Sequence, residues 1–131
     1  MSNELNILAL YGLFTALILL LKVTGSMGQL GMGYLISSRD EHRSLTGITG
    51  RLDRALTNSI TAMALFAPAI LILALKGGFS HATLTAAQVF LVARVVYVPA
   101  YGFGLTGIRT ALWIAGFAAT VALYLGALMT S

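Results

Sequence analysis

Four stretches of this chain, residues 5–23, 51–75, 82–101 and 108–129, are each apolar over a length that can cross a bilayer, which takes about 20 residues of helix. No other feature restricts the fold as strongly. Inside lipid there is no water to satisfy backbone N–H and C=O groups, so a spanning segment must be a helix or part of a closed barrel. The period-2 alternation of barrel strands is missing, and the fold class expected is all-α. Composition agrees, with 58% hydrophobic residues, 9% charged residues and a mean hydropathy of +0.90. A soluble domain of 131 residues would be mostly surface and would need a far larger charged share to cover it. A soluble globular enzyme, a disordered tail and a typical nucleic-acid binder are therefore excluded, and no nucleic acid is expected as a partner.

The connections 76–81 and 102–107 are too short for anything but antiparallel neighbours. The expectation is one domain, residues 1–131, folded as an up-and-down integral membrane four-helix bundle with a long loop over 26–50. The leading residues Met1-Ser2-Asn3-Glu4 lack the positive stretch of a signal peptide, so the first span reads as a retained helix. Basic residues concentrate around the long loop (Lys22, Arg39, Arg43, Arg51, Arg54) and the third connection (Arg109), against Lys76 alone on the other side. By that asymmetry loops one and three are expected to be cytoplasmic and both termini periplasmic, and the lack of a targeting peptide fits a bacterial inner membrane. The chain has no cysteine, which removes disulfides, thiolate metal sites and a cysteine nucleophile. His42 and His81 fall on opposite sides of the membrane, and no metal site is expected.

Ionisable groups inside membrane helices are costly and point to function. In the second span Arg51, Arg54, Asn58 and Thr61 recur at i, i+3, i+7 and i+10, one stripe along one face. In the third, Arg94, Tyr97 and Tyr101 recur at i, i+3 and i+7, and the fourth opens on Arg109-Thr110. Asn58 lies about 10 Å below Arg51 and Arg94 about 10 Å below Tyr101 at the helical rise, so both stripes occupy the cytoplasmic half of the bilayer. Arg51, Arg54, Arg94 and Arg109 have one nearby helix carboxylate, Asp53, and it lies off the stripe. An unpaired buried charge is expensive. An external anion is therefore expected to complete the layer, and arginine suits carboxylate or phosphate. A lipid headgroup and a carboxylate-bearing cosubstrate both meet that description.

Other features read as structural. Pro68 removes a backbone donor and is expected to kink the second span. Ala118, Ala122 and Gly126 form a small-residue row suited to close helix approach. Trp113 and Tyr124 read as lipid-facing or packing aromatics, and Lys22 as an interfacial anchor. The GxGxxG match at Gly102-Phe103-Gly104-Leu105-Thr106-Gly107 follows no strand and is a turn between helices.

The run Arg51-Leu52-Asp53-Arg54-Ala55-Leu56-Thr57-Asn58, continuing to Phe66-Ala67-Pro68, resembles the helix-two motif of the membrane-associated proteins in eicosanoid and glutathione metabolism (MAPEG). Ala93-Arg94-Val95-Val96-Tyr97-Val98-Pro99-Ala100-Tyr101 and Ile108-Arg109-Thr110 resemble its second motif. The similarity covers nearly the whole chain and is closest in kind to bacterial microsomal glutathione transferase-like members. It implies a homotrimer with glutathione sites between subunits and a lipophilic cosubstrate arriving from the bilayer. Arg54, Asn58, Arg94, Tyr97 and Tyr101 match glutathione-binding positions, with Arg51 beside them. Arg109 matches the arginine assigned to stabilising the thiolate, a catalytic role, since a neighbouring guanidinium lowers a thiol's pKa. The implied function is a glutathione-dependent transferase or peroxidase-like protein that detoxifies lipophilic electrophiles. One departure stands out: the family's enzymes usually carry glutamate three residues after the asparagine, and here that residue is Thr61. The alternative is a non-catalytic lipid- or partner-binding member that has lost full use of glutathione.

Overall fold

A computed structural model of the chain describes residues 3–31 and 46–130. They form four helices: α1 Asn3–Leu30, α2 Gly47–Lys76, α3 His81–Gly102 and α4 Thr106–Met129. Each is long and apolar enough to cross a membrane. The expectations for Arg39, His42 and Arg43 lie outside the described residues.

Two helices run past their expected limits, so part of the stretch 26–50, read from the sequence as loop, is helical. Hydropathy marks only the stretch of a helix that sits in hydrocarbon, while the backbone ladder continues as long as its bonds can be made. Past Val23, the hydroxyls of Thr24 and Ser26 turn back on the carbonyls of Leu20 and Lys22. The Gln29 side chain then donates to the Thr46 carbonyl and accepts from the Thr46 N–H, both at 2.9 Å, tying the end of α1 to the start of α2. Gly25 allows that closeness, because a Cβ there would collide with the Thr49 side chain.

The most extensive packing is α3 against α4, and α1 and α4 each pack on α2 and α3 without touching one another. The outer faces of α1 and α4 are therefore open, and they carry exposed Leu10, Leu13, Leu17, Leu20, Phe117, Val121 and Leu125. Such faces suit a hydrocarbon solvent.

The core is aromatic. The Phe66 and Phe90 rings stack at 3.9 Å, and Tyr11 meets Phe90 edge-on at 5.0 Å. Tyr11, fully buried, donates its hydroxyl proton to the Ser59 carbonyl at 2.9 Å, because a phenol in a dry interior needs a partner. Pro68 lies within an unbroken α2. One turn before it, Tyr124 of α4 donates to the Leu65 carbonyl at 2.6 Å, so Tyr124 is a polar link between helices rather than only a packing aromatic. Lys76, at the end of α2, donates to the carbonyls of Ala127 and Thr130, which α4 leaves without helical partners.

Candidate functional site

The polar stripes of α2 and α3 meet in two tiers, and α4 closes both. In the outer tier Tyr101 is the hub. Arg54 donates through Nε to the Tyr101 hydroxyl at 3.2 Å, and its guanidinium carbon is 5.9 Å from the ring centre. Arg109 reaches over from α4 and sits 4.5 Å from the same ring centre. Two cations from different helices thus approach one electron-rich ring, an arrangement that attracts each guanidinium while leaving N–H donors for an anion. Arg51 stands at the rim and donates to the Gly102 carbonyl at 3.2 Å.

Arg94 organises the inner tier. Only 2% exposed, it is the largest of the fully buried side chains. Its Nη2 donates to the Asn58 Oδ1 at 2.7 Å, and its guanidinium lies 4.2 Å from the centre of the Tyr97 ring. Tyr97 and Tyr101, with ring centres 5.8 Å apart, join the tiers. The Nε–H of Arg94 has no hydrogen-bond partner among the described residues. The aliphatic stem of Arg94 crosses α4 at Gly116, where a Cβ would come within 3.3 Å of the arginine Cδ. Glycine at that position lets the guanidinium reach Asn58.

Asp53, the nearby carboxylate that the sequence puts off the polar stripe, is engaged elsewhere. Asp53 pairs with Lys22 at 3.4 Å, so Lys22 is an inter-helix ion-pair partner and not simply an interfacial anchor. Glu4 accepts from the Thr83 hydroxyl at 2.7 Å near the start of α3, about 16 Å along the helix from Arg94. Asp40 and Glu41 lie outside the described residues. Among the described residues none of the four arginines has an acidic partner. Thr61 lines the same region, and its hydroxyl is engaged by the Thr57 carbonyl at 3.0 Å.

All seven sequence-predicted residues, Arg51, Arg54, Asn58, Arg94, Tyr97, Tyr101 and Arg109, fall within this two-tier layer. Sequence reasoning missed the cleft beside it. Asn58, Thr61, Ala62, Leu65, Phe90, Arg94, Trp113, Gly116, Phe117 and Thr120 line a space of about 90 Å³ among α2, α3 and α4. A signal was present: Arg109, Gly116 and Thr120 recur at i, i+7 and i+11 on one face of α4.

Compared with known proteins, the chain matches the model of the MAPEG family over residues 7–129. No curated protein and no solved structure matches it.

Proposed function

The chain belongs to the MAPEG family, and on that premise we propose that it is a glutathione-dependent transferase or peroxidase-like membrane protein acting on lipophilic electrophiles. The observation that carries this reading is the convergence of four guanidinium groups, from three helices, with no acidic partner among the described residues. The donor set fits the carboxylate ends of a thiol peptide. Arg54, Asn58, Arg94, Tyr97 and Tyr101 hold it, with Arg51 at the rim. When bound, glutathione supplies the sulfur nucleophile. The chain's own part is electrostatic: Arg109, held over Tyr101, keeps positive charge where a deprotonated sulfur would sit, and that favours the anion over the thiol.

The proposal includes an up-and-down antiparallel bundle, supported by the succession of contacts Gln29–Thr46, Lys22–Asp53 and Tyr11–Ser59 along α1 and α2. It includes assembly as a homotrimer in a bacterial inner membrane, with loops one and three cytoplasmic, termini periplasmic, and a lipophilic substrate delivered through the membrane lipid.

The test is conjugation of a chlorinated nitroaromatic by the purified protein, with glutathione binding read separately by calorimetry. Arg109→Ala is expected to lower kcat about 100-fold, the usual effect of removing one charge-stabilising donor, while glutathione still binds. A wild-type protein with neither a rate above the uncatalysed reaction nor a heat of binding would refute the reading. A second reading, a lipid-binding protein without catalysis, is favoured by Thr61, whose hydroxyl is turned to its own backbone and offers no acid to a peptide ammonium. Its mark is co-purifying lipid that is lost on Arg94→Ala, together with indifference to thiols.

A further inference from the structure

The outward face of α3 carries a polar group that the bundle does not serve. Gln88 lies seven residues after His81, about 10 Å along the helix from its start and well inside a hydrocarbon core of about 30 Å. Its side chain is exposed and has no hydrogen-bond partner among the described residues. The exposed threonines Thr57, Thr61, Thr85 and Thr110 each donate to a carbonyl of their own helix. Gln88 has no such outlet, because its amide oxygen needs a donor and the N–H groups of a mid-helix turn are spent on the helix's own ladder. An amide left unpaired in hydrocarbon is costly, and glutamine lacks the long stem by which lysine and arginine reach the interface. A second observation concerns spacing. Thr85, Gln88, Val92, Val95 and Pro99 follow one another at intervals of 3, 4, 3 and 4, and all are exposed. A repeat of 3.5 residues keeps one line of side chains turned toward a neighbouring helix over several turns. Leu10, Leu13, Leu17 and Leu20 on α1 repeat the spacing, but leucines ask for nothing beyond hydrocarbon. The amide is what sets α3 apart.

We infer that the outer face of α3 is a docking surface for a second copy of this chain, in which the two Gln88 amides hydrogen-bond to one another. Copies inserted in the same sense share their depth, so a two-fold axis along the membrane normal sets each residue of α3 opposite its own counterpart. A side chain that meets itself must both donate and accept, and a primary amide does. A polar residue in such a seam also fixes its register. Val92 and Val95 pack on either side, and their branched side chains lose little freedom when covered. Arg94 and Tyr97 are buried on the opposite side of α3, so the contact is separate from the anion layer. Being two-fold, it joins copies in addition to the three-fold assembly proposed above.

The chain has no cysteine, so a single introduced thiol reports on its contact alone. The full chain is reconstituted in phosphatidylcholine vesicles over a range of lipid dilutions and oxidised with copper phenanthroline. Disulfide-linked pairs are then measured on a non-reducing gel. Thr85→Cys and Val92→Cys are expected to link rapidly, each to its own counterpart, at dilutions where Leu17→Cys on the outer face of α1 links only by slow collision. Adding Gln88→Leu to Val92→Cys should weaken pairing roughly 5- to 30-fold, the effect of hydrogen bonds between model membrane helices. Gln88→Leu removes no contact within the chain, so circular dichroism and Trp113 fluorescence should match the parent. Glutathione binding should be unchanged as well, which lets this inference and the proposed function fail separately. Val92→Cys linking no faster than Leu17→Cys would overturn the inference and leave lipid or an unrelated helix to cover α3. Pairing that persists undiminished in Gln88→Leu would overturn it too, since the amide would not be what joins the copies.

Discussion

The hydrogen bond between Arg94 and Asn58 ties α3 to α2 in the inner tier, and a double-mutant cycle measures its strength. The variants are Asn58→Ala, Arg94→Met and the pair. Neutral side-chain bonds between membrane helices average about 0.6 kcal/mol in such cycles, whereas bonds to charged groups are worth roughly 1.5–3 kcal/mol. The Nη2–Oδ1 distance of 2.7 Å and the 2% exposure of Arg94 place this bond in the second class. The coupling energy is therefore expected at about 1.5–3 kcal/mol. Arg94→Met alone should cost more than the coupling, because it also removes the cation from the Tyr97 ring 4.2 Å away. The cycle subtracts that shared loss. The assay is unfolding by dodecyl sulfate in mixed micelles, followed by circular dichroism and by the fluorescence of Trp113, the sole tryptophan. A coupling at or below about 0.6 kcal/mol would refute the argument, because it would mean that water or lipid already shares the charge that Asn58 is held to serve.

Thr61→Glu restores the acid that the family's enzymes usually carry, and should tighten glutathione binding roughly 10- to 100-fold by calorimetry; no change would mean that the layer serves a different anion. Ser59→Ala should leave stability unchanged or raise it by up to about 1 kcal/mol, since the fully buried Ser59 hydroxyl has no partner among the described residues and the Tyr11 bond goes to the carbonyl. A loss of similar size in the same unfolding assay would contradict that. Gly116→Ala sets a helix-propensity gain of about 1 kcal/mol against a Cβ 3.3 Å from the Arg94 Cδ. Stability should stay near wild type while glutathione affinity falls about tenfold, because a displaced guanidinium loses its geometry; undiminished affinity would show that Arg94 is not held by α4.

Much of this was legible from the residues alone, for definite reasons. Four apolar runs dictate helices in lipid, and the 3.6-residue repeat of Arg54, Asn58 and Thr61, and of Arg94, Tyr97 and Tyr101, identifies the faces that carry polar groups. Periodicity does not say what stands opposite. Asp53 lies off the polar stripe, yet only the placement of α1 beside α2 reveals that Lys22 claims it. Gly116 is one of many glycines until the stem of Arg94 is seen crossing it. Apolar runs stop short of residues 24–30 of α1 and 47–50 of α2 because hydropathy reports immersion, while the helical backbone continues past the immersed stretch.

The Lys22–Asp53 pair has an effect beyond joining two helices. By cancelling one another these two groups leave the neighbouring positive potential around Tyr101 undiluted, so an incoming anion feels it before contact. That attraction reaches about 30 Å at 0.01 M ionic strength and about 10 Å at 0.1 M. Rising salt should therefore slow the capture of an anion far more than it shortens the lifetime of one already seated, since the latter depends on short contacts that mobile ions screen poorly.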